Sequence, residues 1–213
     1  MSCVPAANMR NPILTTERDI DLQLVERVQR GDKLAFDLLV SKYQRKLFRL
    51  VLRLVVNQTE AEDVVQETFI KAYRALHQFR GDSAFYTWLY RIGINTAKNF
   101  LDNQGRRVPT STETNAEQIE TFEEGENLRD INTPESMLAS KQIAETVNMA
   151  MNELPEDLRT ALSLREIEGL SYDEIAEVMD CPIGTVRSRI FRARESIAER
   201  LRPLLGTSID KRW

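Results

Sequence analysis

The stretch SYDEIAEVMDCPIGTVRSRIFRARESIA, residues 171–198, decides how the C-terminal part of the chain folds. Ser171 and Glu174 form an S-x-x-E capping box, which predicts the start of a short helix. Residues 180–182 read Asp-Cys-Pro and predict a tight turn, after which a longer helix is expected over 183–202. A short capped helix, a tight turn and a longer basic helix are typical of a DNA-binding helix-turn-helix.

The longer helix has an apolar face and a basic face. The apolar stripe, which we expect to face the core, consists of Val186, Ile190, Ala193 and Ile197. The opposite face presents Arg187, Ser188, Phe191, Arg192 and Glu195. An α-helix fits the major groove, where arginine can bond O6 and N7 of guanine together, whereas Arg189 and Arg194 at the flanks suit phosphates. The alternative is a basic, solvated helix in an ordinary bundle.

Apolar residues recur at helical spacing along the chain without a strand pattern, which predicts an all-α fold. The 213 residues carry a net charge of −4, but residues 19–107 and 183–202 each carry +4. Residues 108–140 and 141–182 each carry −7, so the overall charge conceals two basic zones. We expect a disordered leader over 1–18, a helical domain over 19–103, a flexible acidic linker over 104–133, a second helical domain over 134–203 and a tail over 204–213.

Composition excludes several classes of protein. Two cysteines, Cys3 and Cys181, and one histidine, His77, exclude a disulfide framework, argue against a zinc site and fit a reducing cytoplasm. No apolar run approaches the roughly 18 residues that a membrane span needs, and the N-terminus has no export signal. The acids at Glu153 and 156–157 cluster only as helix-terminal residues, so the sequence predicts no catalytic, cofactor-binding or metal-binding residues.

Two surfaces of the first domain could bind a partner. The helix over 61–76 exposes a stripe that contains Asp63, Gln66 and Glu67, which taken alone indicates only a solvated face. The segment 79–100 holds six aromatic residues among 22, interleaved with basic and polar side chains. Aromatic rings beside cations suit unstacked, single-stranded bases, although a small bundle also needs aromatic residues in its core.

Four blocks of the chain resemble regions 2 and 4 of bacterial RNA polymerase sigma factors, closest to the sigma-E type of the extracytoplasmic-function group. The blocks are AEDVVQETFIKAYRAL, FRGDSAFYTWLYRIGINTAKNFL, LPEDLRTALSLREIEGLSYDEIA and CPIGTVRSRIFRARE. The resemblance covers about residues 19–203 and is far more specific than a helix-turn-helix alone. The acidic linker is similar in kind to the segment that threads the polymerase channel in this family.

The resemblance implies roles for particular residues. The stripe at Asp63, Gln66 and Glu67 resembles the surface that grips the clamp coiled coil of the polymerase β′ subunit. The loop after His77, flanked by Phe79 and Asn95, is similar to the pocket that captures a base flipped from the −10 element. The aromatic and basic pattern adds Arg80, Trp88, Arg91 and Lys98 as expected −10 DNA contacts. The −35 contacts that it implies are Arg187, Ser188, Phe191 and Arg192, and the flanks of the same helix add Arg189 and Arg194 as phosphate contacts.

The resemblance also implies partners. They are the polymerase core, through the β′ clamp and the β flap, promoter DNA and an anti-sigma factor, which in this family is often membrane-bound. The implied function is an alternative sigma factor that binds core polymerase, directs promoter-specific initiation in an extracytoplasmic stress response and uses neither a cofactor nor a small-molecule substrate. The alternative is a free-standing helix-turn-helix regulator that binds a palindrome as a dimer and uses residues 19–103 as a sensor domain. Pulldown with core polymerase separates the two.

The acidic linker generates the first prediction. Residues 104–133 are polar and acidic with few large apolar side chains, so they cannot bury enough surface to stay folded alone. Limited proteolysis of the free chain should therefore cut first in this segment and leave two resistant fragments. Protection of 104–133 equal to that of the flanking helices would contradict the prediction.

Overall fold

The computed structural model describes residues 16–105 and 134–205, and both stretches are helical. The first forms α1 (Glu17–Gln29), α2 (Lys33–Val55), α3 (Gln58–Ala75), a short 3-10 turn (Leu76–Gln78) and α4 (Phe85–Gly105). The second forms α5 (Pro134–Glu153), α6 (Glu156–Glu166), α7 (Tyr172–Met179) and α8 (Ile183–Leu205). No strand occurs in these two stretches, and the all-α prediction is confirmed. Within the same residues, no helix combines the length and apolar character needed to cross a bilayer.

The ends of the described stretches differ slightly from the expected domain limits. Helix α1 begins at Glu17, inside the segment expected to be a leader, and α4 and α8 continue to Gly105 and Leu205. Residues 1–15, 106–133 and 206–213 lie outside the described residues. The leader, the linker and the tail therefore stay predictions.

Helix caps explain most of the boundaries. The Ser171–Glu174 capping box at the start of α7 is present as predicted. Thr59 and Glu62 also match a T-x-x-E capping box in the sequence, which predicts a helix start at residue 59. That prediction is wrong, because Asn57 caps α3 instead and its Oδ1 accepts the Glu60 N–H at 3.2 Å. Asparagine is among the best N-cap residues, so the helix begins two residues earlier and takes in residue 59.

Helix α8 also runs past its expected end at residue 202 and includes Pro203. A proline has no N–H to donate and its ring crowds the carbonyl four residues earlier, but its fixed φ suits a helix. In the final turn it therefore removes one hydrogen bond without ending the helix earlier.

Helix α2 is the centre of the first bundle and packs against α1, α3 and α4. Its approach to α4 is close at Gly93, where a Cβ would lie 2.7 Å from Leu47 Cδ1 and the Leu47 side chain would have to shift. Helix α1 is held by a buried carboxylate, Asp21, which accepts hydrogen bonds from Lys42 Nζ at 2.7 Å and from the Tyr43 hydroxyl. A buried charge needs such partners, so this contact fixes how α1 lies on α2.

The second bundle packs α6, α7 and the preceding α5 against α8. The guanidinium of Arg159 closes the end of α5 by donating to the carbonyls of Met151 at 3.0 Å, of Leu154 at 2.9 Å and of Asn152. Its Nη1 also lies 3.4 Å from the carbonyl of Arg53 on α2. One side chain thus satisfies helix-terminal carbonyls and contacts the other bundle.

The two bundles pack against each other. Helix α4 lies against α7, and α2 lies against α6. A single apolar core runs through both bundles and includes Leu50 and Tyr90 from the first and Leu164 and Ile175 from the second. We call this packing the closed arrangement.

Backbone strain at the end of α2 generates the second prediction. Val56 adopts φ 70° and ψ −35°, a backbone conformation that a β-branched residue rarely tolerates. The residue is 49% exposed, so little packing compensates for the strain. Relief of this strain should outweigh the extra unfolded-state entropy of glycine, so Val56→Gly should raise the free energy of unfolding by about 1 kcal/mol. Thermal melting measures the change. Val56→Ala keeps a Cβ and should gain less; a lower melting temperature for Val56→Gly would contradict the strain argument.

Candidate functional site

The orientation of α8 decides what the helix-turn-helix can present. Val186, Ile190 and Ala193 are buried and Ile197 is half-buried, which confirms the predicted core stripe. The opposite face is exposed and consists of Arg187, Ser188, Phe191 and Arg192. Phe191 is 67% exposed, an unusual position for so large an apolar side chain. This face can therefore enter a groove with cations and one apolar ring.

The turn between α7 and α8 is formed by residues that are close together in sequence. Asp180 ends α7 in the left-handed conformation, with φ 51°, which a short polar side chain tolerates better than most. The α8 residue Arg187 then comes close to α7, with its guanidinium 5.9 Å from the ring centre of Tyr172. The cap, the turn and the basic helix are thus positioned by residues close together in sequence.

The flanking arginines of α8 are paired with carboxylates of α6. Arg189 is half-buried, with Nη2 2.5 Å from Asp157 Oδ2 and Nη1 3.4 Å from Cys181 Sγ. Arg194 is exposed and its Nη2 lies 2.5 Å from Glu166 Oε1. Both cations lie at the edges of the exposed face, where the sequence predicts phosphate contacts.

Helix α4 carries the residues predicted to contact −10 DNA. Asn95 is exposed, as is Arg80 in the loop before the helix, and Trp88 is half-buried. Arg91 Nη2 lies 3.1 Å from Asp180 Oδ1, and Lys98 Nζ lies 3.0 Å from an Asp157 oxygen. The structure thus brings these cations beside the second bundle.

The aromatic residues of this segment belong mostly to the core. Phe79 is only 8% exposed and its ring lies 6.1 Å from that of Phe85 and 5.1 Å from that of Trp88, centre to centre. The backbone carbonyl of Phe79 accepts a hydrogen bond from Gln29 Nε2 at 3.0 Å. A base could stack on Phe79 only after this loop moves, so the expected contact stays a prediction.

The predicted polymerase-binding residues lie together on one face of α3. Asp63, Gln66 and Glu67 are exposed, and the Glu67 carboxylate lies 2.7 Å from Lys71 Nζ. Beside them runs an apolar groove of about 800 Å³ between α2 and α3. Its apolar lining is Phe36, Val40, Phe48, Val65, Phe69, Ile70 and Tyr73.

Sequence reasoning missed this groove because Phe36 and Val40 fit the same helical periodicity as the core residues of α2. They are only half-buried, and the Phe36 ring packs edge-on against Tyr73 with centres 4.9 Å apart. The sequence signal that could have revealed the groove is the width of the apolar face of α2, which is larger than packing against one core requires.

A second groove lies in the second bundle. It has a volume of about 560 Å³ and lies between α5, α6 and α8. Arg53 of α2 also lines it, and its apolar lining is Val147, Met151, Leu162, Ile167, Ile197, Ala198 and Leu201. Among residues 16–105 and 134–205, His, Cys, Asp and Glu form no group of three that could hold a metal ion.

Comparison with known proteins identifies the class. The model of sigma-70 region 2 matches residues 39–107, and the model of sigma-70 region 4 matches residues 141–197. The RNA polymerase sigma-H factor of Pseudomonas aeruginosa is 63% identical over 193 residues, which cover 91% of this chain and 98% of that protein. The ECF RNA polymerase sigma-E factor of Escherichia coli is 57% identical over 190 residues, covering 89% and 98%.

Solved structures that are similar to this chain belong to the same class of protein. The chain is similar to CnrH in its complex with the cytosolic domain of CnrY, with a TM-score of 0.62, 26% identity and coverage of 87% and 99%. It is also similar to the sigma factor RpoE of Bartonella quintana in complex with the anti-sigma factor NepR, with a TM-score of 0.56, 25% identity and coverage of 83% and 98%.

Two helical bundles that match regions 2 and 4 define a sigma factor of bacterial RNA polymerase, a transcription initiation factor. The chain belongs to the extracytoplasmic-function group of these sigma factors. The family predicted from the four sequence blocks is confirmed, and a free-standing regulator with a sensor domain is not supported.

Proposed function

We propose that the chain divides promoter recognition between its two bundles, as a non-catalytic specificity subunit that acts in the cytoplasm during an extracytoplasmic stress response. The domain over 19–103 binds polymerase core and captures −10 bases. The linker over 104–133 connects it to the domain over 134–203, which reads −35 DNA. The observation that carries this proposal is the face of α8, whose apolar stripe is buried while Arg187, Ser188, Phe191 and Arg192 are exposed.

In the second bundle, α8 docks in the major groove of −35 DNA. Arg192 lies in the middle of the exposed face and reads a guanine edge, and Phe191 offers an apolar surface suited to a thymine methyl group. Arg189 and Arg194 lie at the edges of this face and bind phosphates. The geometry supports this division between base and phosphate contacts. Only one face of α8 is exposed, and only side chains in the middle of that face can reach deep into the groove.

In the first bundle, α4 meets the −10 element as it opens. Asn95 and Arg80 are exposed, and Arg91 and Lys98 supply cations for the phosphates of the displaced strand. Unpairing bases costs a few kcal/mol, which contacts to the extruded bases offset. When one polymerase holds both bundles, the second contact with DNA is effectively intramolecular. Each bundle can therefore bind DNA weakly on its own.

Polymerase core binds the α3 face that consists of Asp63, Gln66 and Glu67. Support comes from the adjoining groove, because an exposed apolar surface next to charged residues is typical of a protein interface. The β′ clamp coiled coil is the proposed partner there, and the β flap is the proposed partner of the second bundle.

An anti-sigma factor is the proposed negative regulator. The similar sigma factor RpoE was solved with the anti-sigma factor NepR, and the similar CnrH with the cytosolic domain of CnrY. The apolar groove between α2 and α3, with aromatic rings along its wall, offers the kind of surface on which an amphipathic helix of such a partner could dock. A membrane-bound anti-sigma factor would hold the chain at the inner membrane.

The roles proposed on α8 predict two different defects. Arg192→Ala should cost about 1–3 kcal/mol of binding free energy and relax the preference at one base pair, because it removes a contact to a base edge. Arg194→Ala should weaken binding to all sequences equally and lower the salt slope by up to about one unit, because it removes a phosphate contact whose cation is paired with Glu166 in the free chain. Holoenzyme affinity across −35 variants at two salt concentrations measures both effects.

The comparison between the two variants is the control. Both remove one exposed arginine from the same helix, so a general loss of charge would affect them equally. If Arg192→Ala loses the same affinity for every −35 sequence, Arg192 binds phosphate and does not read a base.

The α3 face predicts a defect in core binding. Gln66→Ala with Glu67→Ala should weaken the complex with polymerase core while the melting temperature stays close to wild type, since exposed substitutions usually change stability by about 0.5 kcal/mol or less. The matched control is Gln23→Ala with Glu26→Ala on α1, where Glu26 pairs with Arg30 as Glu67 pairs with Lys71. Equal core affinity for the two double variants would show that the α3 face is only solvated.

A further inference from the structure

A side chain of α1 holds the loop over 79–84, which joins the 3-10 turn to α4. The Gln29 side-chain amide donates through Nε2 to the carbonyl of Leu76 at 2.9 Å and to that of Phe79 at 3.0 Å. An amide nitrogen carries two hydrogens, so each carbonyl receives one of them. Gln29 therefore fixes the backbone at both ends of the 3-10 turn, where the loop begins.

Helix α1 is anchored to α2 independently of this loop. Gln29 is the last residue of α1, and Asp32 caps α2 by accepting the Ala35 N–H at 3.3 Å. The same Asp32 carboxylate lies 2.7 Å from Arg27 Nη2, which ties the end of α1 to the start of α2. The buried Asp21 described above holds the first half of α1. Gln29 thus approaches the loop from a backbone whose position the loop does not determine.

Two more residues of α1 contact the loop. Arg18 Nη2 lies 3.4 Å from the carbonyl of Gly81. Gly81 adopts φ 79°, a conformation that glycine reaches without strain, and a Cβ there would lie 3.2 Å from Leu22 Cδ2. Residues 18, 22 and 29 are spaced by one and then two helical turns, so they lie along one face of α1. This face follows the loop from the 3-10 turn to Gly81.

The loop also packs against α4. The Phe79 ring lies in the aromatic cluster with Phe85 and Trp88 described above. Arg80 and Asp82, which follow in the loop, are exposed. The ring and the carbonyl of Phe79 are therefore both held before any base arrives, while the polar side chains of the loop remain exposed.

We propose that Gln29 is a positioning residue for −10 recognition, because its amide orders the loop over 79–84 before a base is extruded into it. The inference rests on the proposed capture of −10 bases by the first bundle. A loop that is already ordered loses little conformational entropy when the base binds, so more of the contact energy appears as affinity. Gln29 acts through the two carbonyls and not through a contact of its own with the base.

This role is separable from the stability of the bundle. Gln29 is exposed, so water can hydrogen-bond the carbonyls of Leu76 and Phe79 when the amide is removed. The core of the bundle then stays intact, and the loop alone loses a restraint.

The test uses holoenzyme that contains the full chain. Gln29→Glu keeps the size of the side chain but turns oxygen atoms toward two carbonyl oxygens, and Gln29→Met removes the donor without adding a charge. The controls, Gln23→Glu and Gln23→Met, make the same changes at an exposed position of α1.

The measurement is fluorescence anisotropy with labelled single strands. One strand carries the −10 element of a promoter that the holoenzyme transcribes, and the others carry an abasic site at each position of that element in turn. The ratio of the affinities for the intact and abasic strands reports base capture, which a general structural defect would not change selectively.

We expect wild-type holoenzyme and both Gln23 controls to prefer the intact strand at the position whose base is captured. Both Gln29 variants should lower this preference about fivefold, because the base must then order the loop as it binds. Their affinity for the abasic strand, their affinity for core and the melting temperature of the free chain should match the controls. If Gln29→Glu lowers the melting temperature, the neutral Gln29→Met variant decides.

Three results would overturn the role of Gln29. They are a base preference equal to that of the controls, a preference greater than theirs, and an equal loss of affinity for intact and abasic strands.

Failure of the proposed −10 contacts gives a different result. If wild-type holoenzyme binds every abasic strand as tightly as the intact strand, no base is captured, and the proposed capture and the inference are both overturned. If Asn95→Ala lowers the preference while the Gln29 variants do not, base capture stands and only the role of Gln29 is overturned.

Discussion

The apolar core shared by the two bundles is the constraint on which the closed arrangement depends. Ion pairs between exposed side chains contribute about 0–1 kcal/mol each, so Arg91 with Asp180 could not hold two bundles together alone. Burial of residues such as Tyr90 and Leu164 brings α4 to α7 and α2 to α6. The charges then determine which surfaces of the two bundles meet, because an orientation that brought like charges together would be repulsive.

Much of the fold could be predicted from sequence because its signals are local. The capping box at Ser171 and the stripe from Val186 to Ala193 depend on neighbours within one or two helical turns. The exposed face of α8 follows from the buried one, so the presentation of Arg192 could be predicted as well. Where two local signals compete, as at Asn57 and Thr59, sequence alone selected the wrong cap.

The remaining features could not be predicted because they join residues far apart in the chain. Tyr86 and Glu174 are 88 positions apart, and no periodicity links them. Thr87 lies at helical spacing from the polar residues Arg91, Asn95 and Lys98 in sequence, yet it is buried in the closed arrangement. Phe79 matches a residue type suited to bases, but its ring packs into an aromatic cluster. Helical periodicity distinguishes the two faces of a helix without showing which partner will cover each.

The carboxylate shared by Lys98 and Arg189 has a thermodynamic consequence for the DNA contacts proposed for these two residues. A cation that is free in solution attracts mobile anions, and its transfer to DNA also frees cations condensed on the phosphates. A cation already neutralised by Asp157 enters the reaction by exchanging one anionic oxygen for another. Added salt weakens the ion pair with Asp157 as well as the ion pair with a DNA phosphate. Association of the free chain with nucleic acid should therefore depend less steeply on ionic strength than the number of its basic contacts implies.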